Sequence, residues 1–333
     1  MQLGHYMLRN EEDWQAAKHK ASVDNPWFTA EFINLATQNI AQEFLTREAL
    51  ERLTGGYDIP ENRTPKKVGI VMAGNIPMVG FHDLLCTFLA GHYACVKPST
   101  KDDVLIPFLI RKMKEWNPGS DSYFVVSENL KGCDAYIATG SNNTAVHFSY
   151  YFRNHPHLIR KNRTSVAILR GDETPETLGK LADDVHLYFG LGCRNVTKIY
   201  VPEGYDFVPL LKAFEKYHDL ANFNKYKNNF DYNLALHILN KREYMTNGSL
   251  LLVEDASYFS PISQLHYEYY TDAEKLKQQL KESEEIQAIV GEKETPFGQS
   301  QYPDVCTFAD GVDTMAFLLS LGGENGFKEV RKS

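Results

Sequence analysis

Nowhere in its 333 residues does the chain hold an apolar run of about 18 residues, so no membrane-spanning helix is expected. The opening MQLGHYMLRNEEDW has no apolar core behind a basic patch, and a cleaved secretory leader is not expected either. CxxC and HExxH patterns are missing, which leaves a resident metal without an obvious ligand set. GxGxxG is missing too, and with it the standard dinucleotide fingerprint. Basic residues do not dominate: 35 Lys and Arg face 43 Asp and Glu, for a net charge of −8. With no basic stripe interleaved with aromatics, a nucleic-acid partner is not expected, and an anionic substrate would need a local positive site. Cysteine is scarce. Cys86, Cys95, Cys133, Cys193 and Cys306 form an odd, scattered set, the pattern of reduced thiols in a cytoplasm.

What is present is an ordinary globular composition, 43% hydrophobic and 23% charged, in a chain long enough for two domains. Residues from about 11 to 55 carry apolar positions at helical spacing, ended by Gly55-Gly56 and a proline-bounded loop from Pro60 to Pro65. Strand-like and helix-like runs then alternate. Lys67–Ala73, Tyr93–Lys97, Tyr123–Val126 and Ala135–Ala138 read as strands, with helices over FHDLLCTFLAGH, near Val104–Glu115 and after Thr139-Gly-Ser141. The second half repeats the pattern, with strands at Thr164–Leu169 and Val196–Val201 around a helix at Thr174–Tyr188. This alternation predicts βαβ units and two α/β lobes with largely parallel sheets behind an N-terminal helical segment. The boundaries read as 1–163, 164–320 and a tail at 321–333 that returns to the first lobe. Between 220 and 285 the reading is mixed: FNKYKNNFDYN as a loop, SLLLVEDASYFSPISQLHYEYY as strands around a turn, DAEKLKQQLKESEE as a solvated helix.

Four short stretches stand out for chemistry. Asn75 follows the first strand, Lys97-Pro98-Ser99 the second, Gly140-Ser141 a later one, and Cys193 sits in GLGC in the second lobe. Open parallel sheets bind ligands beyond the C-terminal ends of their strands. Each stretch also has a plain structural reading. Cys193 is either a packed small hydrophobe or a nucleophile whose thiolate a helix N-terminus or a cation must favour. Asn75 either shapes a turn or donates its amide to a developing oxyanion. Lys97 is either a solvated lysine or a partner for ribose hydroxyls or a phosphate. Gly140-Ser141 is either a helix cap or a turn facing a pyrophosphate.

Taken in order, AGNIP, VKPS, ATGS, GLGC and TPFGQ resemble the elements PWNxP, KPS, FTGS, GQxC and ExFGP of the aldehyde dehydrogenase superfamily. The AGNIP form and the PFGQSQYPDVCTFADGVDTMAFL tail are most similar to the LuxC-type acyl-CoA reductases, the fatty-acid reductases of bacterial bioluminescence. The resemblance implies a long-chain acyl-CoA reductase that forms an aldehyde through a cysteine thioester. It implies Cys193 as nucleophile, Asn75 as oxyanion donor, Lys97 and Ser99 at the adenosine ribose, Gly140 and Ser141 at the pyrophosphate, and Phe297 near the nicotinamide. The implied partners are an acyl-CoA, an acyl-activating enzyme or acyltransferase, and further copies of the chain.

Several positions depart from the superfamily pattern. The glutamate base of hydrolytic members has no counterpart in His157–Thr164, which suits acyl transfer to and from thiols over hydrolysis. Glu294 stands three residues before Phe297, where the family has its acidic residue two before. KPST puts Thr100 where NAD-preferring relatives often carry glutamate, and Lys101 is adjacent, so NADPH is expected, with NADH as the alternative. His155, His157 and His186 are candidates for the acid that protonates departing CoA. Two other functions fit the same residues: reduction of an acyl phosphate, and an inactive binding protein on the same fold.

Overall fold

The computed structural model describes residues 1–59 and 64–321. The chain divides into two compact units, one of residues 1–162 with the residues from 304 on, the other of residues 163–303. The loop expected between Pro60 and Pro65 falls mostly outside the described residues, as does the tail expected at 321–333 beyond Leu321. The return to the first unit begins at Asp304.

The first unit opens with α1 (Gln2–Arg9), α2 (Glu12–Asp24), α3 (Ala30–Asn39) and α4 (Arg47–Gly55). Thr29 and Thr46 cap α3 and α4 by accepting the N–H of Phe32 and Ala49. Sequence periodicity ran through this region as one helical stretch. It is broken by these caps and by a π-helical turn at Ile40–Phe44, which directs Ile40 and Ala41 inward. The sheet follows as β1 (Lys67–Val71), α5 (Phe81–Leu89), β2 (Tyr93–Lys97), α6 (Leu105–Trp116), β3 (Phe124–Val126), β4 (Ala135–Thr139), α7 (Asn142–Phe152) and β5 (His157–Arg160). Its strands are all parallel in the order β3-β2-β1-β4-β5. Val68, Ile70, Ala94, Val96, Ile137 and Ala138 are wholly buried in it, the run of apolar residues that a sheet covered on both faces demands.

The second unit runs β6 (Thr164–Ile168), α8 (Pro175–His186), β7 (Val196–Pro202), α9 (Val208–Ala213), α10 (Asn224–Leu239), β8 (Met245–Thr246), β9 (Leu251–Glu254), β10 (Gln264–Tyr270), α11 (Ala273–Glu282) and β11 (Ile286–Val290). Its sheet is ordered β11-β6-β7-β10-β9-β8, parallel except for the antiparallel β8–β9 pair. Thr174 caps α8 with Pro175 at the first helical position, an arrangement suited to a helix start. Two sequence expectations are corrected here. FNKYKNNFDYN is the body of α10, not a loop, because Tyr226, Phe230, Asn233 and His237 form one buried face. The β9 and β10 strands pair in parallel, so SLLLVEDASYFSPISQLHYEYY is a crossover and not a hairpin.

From Asp304 the chain rejoins the first unit. Arg52 pairs with Asp304, His82 Nε2 lies 2.7 Å from Val305 O, and Tyr57 donates to Asp313 at 2.8 Å. Asp313 then caps α12 (Thr314–Ser320). Arg160, at the end of β5, donates to both Asp83 (2.7 Å) and Thr314 (2.8 Å). The two-lobed α/β class with an N-terminal helical segment is therefore the one observed.

Candidate active site

In the first unit, the turns that leave β1, β2 and β4 stand at the C-terminal edge of the sheet. The β1 turn carries Gly74 and the exposed Asn75; the β2 turn carries the half-buried Lys97 and Ser99. These two turns touch. A Cβ on Gly74 would sit 2.6 Å from Ser99 Oγ and 3.0 Å from Lys101 Cβ, so only glycine fits the contact. Ser99 Oγ accepts the Lys101 N–H at 3.2 Å. Asp102 locks the pair together: its N–H reaches Ser99 O at 2.9 Å, and its Oδ2 accepts the N–H of Met78 at 2.7 Å. Met78 has φ 58, a left-handed backbone that this bond helps hold. Burial pushes the Asp102 carboxyl up to about 6, against the pull of the Met78 and Leu105 N–H groups.

Ser141 is the N-cap of α7, its Oγ accepting the Thr144 N–H at 3.3 Å. The capping role read from sequence is thus occupied. Gly140 donates to Arg160 O at 3.2 Å, and a Cβ there would lie 3.1 Å from Thr144. The β1 and β2 turns thus bring Asn75, Lys97 and Ser99 to the edge where parallel sheets take ligands, and α7 begins at Asn142 directly after the β4 turn.

In the second unit, α8 ends abruptly. Tyr188, Phe189 and Gly190 take φ values of 54, 56 and 74, three left-handed residues in a row. The chain then turns through Gly192–Asn195 into β7. Gly192 N–H donates to Asn195 Oδ1 at 2.8 Å, Asn195 N–H returns to Gly192 O at 3.1 Å, and Ser165 Oγ donates to Cys193 O at 3.1 Å. On this braced turn the Cys193 thiol is exposed. Of the other thiols, Cys86 and Cys133 are buried, and burial pushes both up, Cys133 to about 12. Cys306 is exposed, yet partial desolvation and Asp304 push it up as well. The half-buried Phe297 packs on the hydrophobic cluster that includes Leu178, Leu181 and Val201. Its neighbour Gly298 has φ +79 and approaches Lys180 so closely that a Cβ would lie 3.1 Å from it.

No family model matches the chain, and no curated protein matches it. Solved structures do. A putative aldehyde dehydrogenase from Burkholderia cenocepacia matches with a TM-score of 0.60 at 13% identity, over 82% of this chain and 69% of that one. An NAD-dependent aldehyde dehydrogenase from Sinorhizobium meliloti matches with a TM-score of 0.64 at 12% identity, over 86% and 68%. Aldehyde dehydrogenase 21 from Physcomitrella patens, in complex with the reaction product succinate, matches with 0.64 at 12%, over 87% and 72%. The chain has the aldehyde dehydrogenase fold.

Within this aldehyde dehydrogenase fold, the remaining sequence candidates fall as follows. Glu294 is turned toward α11, 2.8 Å from Lys281 and 3.8 Å from Lys277, so its carboxylate is engaged in ion pairs. His186 is buried, stacked on Tyr217 at 4.7 Å, with Nδ1 2.8 Å from Ala182 O. Burial pushes it down to about 4, so it stays neutral and cannot act as a protonated acid near pH 7. His157 Nδ1 lies 2.8 Å from His155 O, and His155 is exposed. The sequence reading missed Asp102, Asp184 and Asn195. Their spacing carries no motif, because their partners are brought to them by the fold.

Proposed function

We propose that the protein is an NADPH-dependent reductase of long-chain acyl-CoA thioesters, acting through Cys193. The reading rests above all on the exposed Cys193 thiol on a braced turn at the start of a strand, in a chain with the aldehyde dehydrogenase fold. The first unit's turns would take the nucleotide. Lys97 and Ser99 would hold its ribose, the Gly140-Ser141 turn its pyrophosphate, and Phe297 would pack by the nicotinamide. Thr100 offers no carboxylate to repel a 2′-phosphate, and Lys101 stands next to it.

In the reaction, Cys193 thiolate attacks the thioester carbonyl and forms a C–S bond. The carbonyl electrons move to oxygen, where the Asn75 amide and the Cys193 N–H donate to the charge. The oxyanion collapses, the bond to CoA sulfur breaks, and CoA leaves as a thiol after taking a proton. NADPH, held by those residues, would supply the hydride that takes the Cys193 thioester to the aldehyde level. Cys193 then departs as thiolate, restoring the enzyme. His157–Thr164 supplies no carboxylate to activate water against the acyl-enzyme, which disfavours hydrolysis.

Mass spectrometry after mixing the protein with a panel of acyl-CoAs tests this directly. An acyl adduct on Cys193, lost in Cys193→Ala together with NADPH oxidation, is the expected result. Asn75→Ala is expected to slow acylation about 100- to 1,000-fold. An adduct on Cys306 and none on Cys193, or turnover with an acyl phosphate but no acyl-CoA, would overturn the assignment.

A further inference from the structure

Asp184 lies in the last turn of α8 and is 1% exposed. Its Oδ2 accepts the Gly298 N–H at 2.6 Å and its Oδ1 the Ser300 N–H at 3.0 Å. Both donors follow Phe297, Gly298 within its turn and Ser300 just past it. The backbone of the same residue faces the other way. Asp184 O accepts the Asn195 side-chain amide at 3.0 Å, and Leu187 O shares that amide at 2.8 Å. Asn195 is 0% exposed and holds Gly192 through its Oδ1. One residue therefore bears both turns: the carboxylate carries the Phe297 turn, and the carbonyl, through Asn195, carries the Cys193 turn.

The chemistry of each contact explains the residue type. Three left-handed residues stop α8 at once, so its last carbonyls lose their helical partners and need an outside donor. The Asn195 amide is that donor. On the carboxylate side, two N–H groups converge on two oxygens. An asparagine would offer one oxygen and set its NH2 against the second N–H, losing a bond and adding a donor–donor clash. Burial pushes the Asp184 carboxyl up, while Gly298 and Ser300 pull the other way; with an N–H on each oxygen, both acceptor positions are filled as a carboxylate's would be.

We propose that Asp184 is a positioning residue that couples the Cys193 turn to the Phe297 turn, so that the two shift together. Its catalytic consequence rests on the assignment of Cys193 as nucleophile; its structural content does not.

Hydrogen exchange of the full chain, read by mass spectrometry, tests the coupling. In Asp184→Asn, residues 190–195 and 297–301 are both expected to exchange about tenfold faster or more, the loss of one charge-assisted hydrogen bond. Residues 175–182 of α8 are expected to exchange as before. Loosening confined to 297–301 would overturn the coupling. Should exchange rise throughout 163–303 in that variant, Asn195→Ala decides: it touches none of the bonds to Gly298 or Ser300, yet coupling requires 297–301 to loosen with 190–195. An unchanged 297–301 segment there refutes the proposal. In turnover, Asp184→Asn is expected to lower kcat about tenfold and leave KM for acyl-CoA within about twofold, since a misplaced thiol impairs the step and not the encounter. A wild-type protein that forms no acyl adduct defeats the functional reading alone, and the exchange result stands apart from it.

Discussion

Asp102, boxed in beneath the Ser99 turn, is pushed up to about 6, and His186, sealed against Tyr217, is pushed down to about 4; burial is the leading cause in both. Their effects on stability have opposite signs. Asp102 binds its proton more readily folded than unfolded, so its contribution is full below pH 3.8 and is lost as pH rises through about 6. His186 is neutral when folded, so its contribution is full above pH 6.5 and is lost as pH falls through about 4. Each amounts to about 1.4 kcal/mol per pH unit across its window. From pH 4 to 6 the two slopes oppose each other. In urea melts taken across that range, Asp102→Asn is expected to gain stability with rising pH, and His186→Phe to lose it. Parallel slopes in the two variants would show that neither group carries the linkage.

At the scale of elements, α10 shows how a helix can hide in its own composition. NKYKNNFDYN offers four asparagines and an aspartate where stronger helix formers would be expected, and these letters outweigh the pattern. Yet Tyr226, Phe230, Asn233 and His237 recur at intervals of three and four and pack inward, Phe230 against Leu251 and Val253. Phe230→Ala is expected to cost about 3–4 kcal/mol in chemical denaturation, and the exposed Tyr232→Ala less than about 0.5. Equal costs would mean the helix does not face the sheet this way. The strands β1, β2, β4, β6 and β7 were legible because each is a short apolar run bounded by turn residues. The short edge strands β5 and β11 were not, since four or five residues of mixed character give no period to count. The candidate site was legible in part. Asn75, Ser99, Ser141 and Cys193 sit in punctuated turns that sequence displays. Asp184 binds residues 114 and 116 positions away, and no local pattern announces a partner at that distance.

At the scale of the whole molecule, the second unit is one continuous segment and the first is not. Residues from 304 on supply the first unit with the Val305 carbonyl to His82, Asp313 to Tyr57, Thr314 to the buried Arg160, and the Leu318 carbonyl to His92 at 2.8 Å. Truncation after Pro303 is therefore expected to strip these four contacts and the Arg52–Asp304 pair from the first unit and leave residues 163–303 intact. Urea unfolding should then show an early transition, with limited proteolysis cutting within 1–162 and sparing 163–303. Simultaneous loss of both units would mean that the second depends on the first.

That discontinuity also sets a timetable at the ribosome. The segment made first cannot be finished first, because Arg160 waits for a threonine that is translated only after all of 163–303. The middle of the gene product is free to settle early, while its beginning stays open at β5 and α5 until α12 arrives.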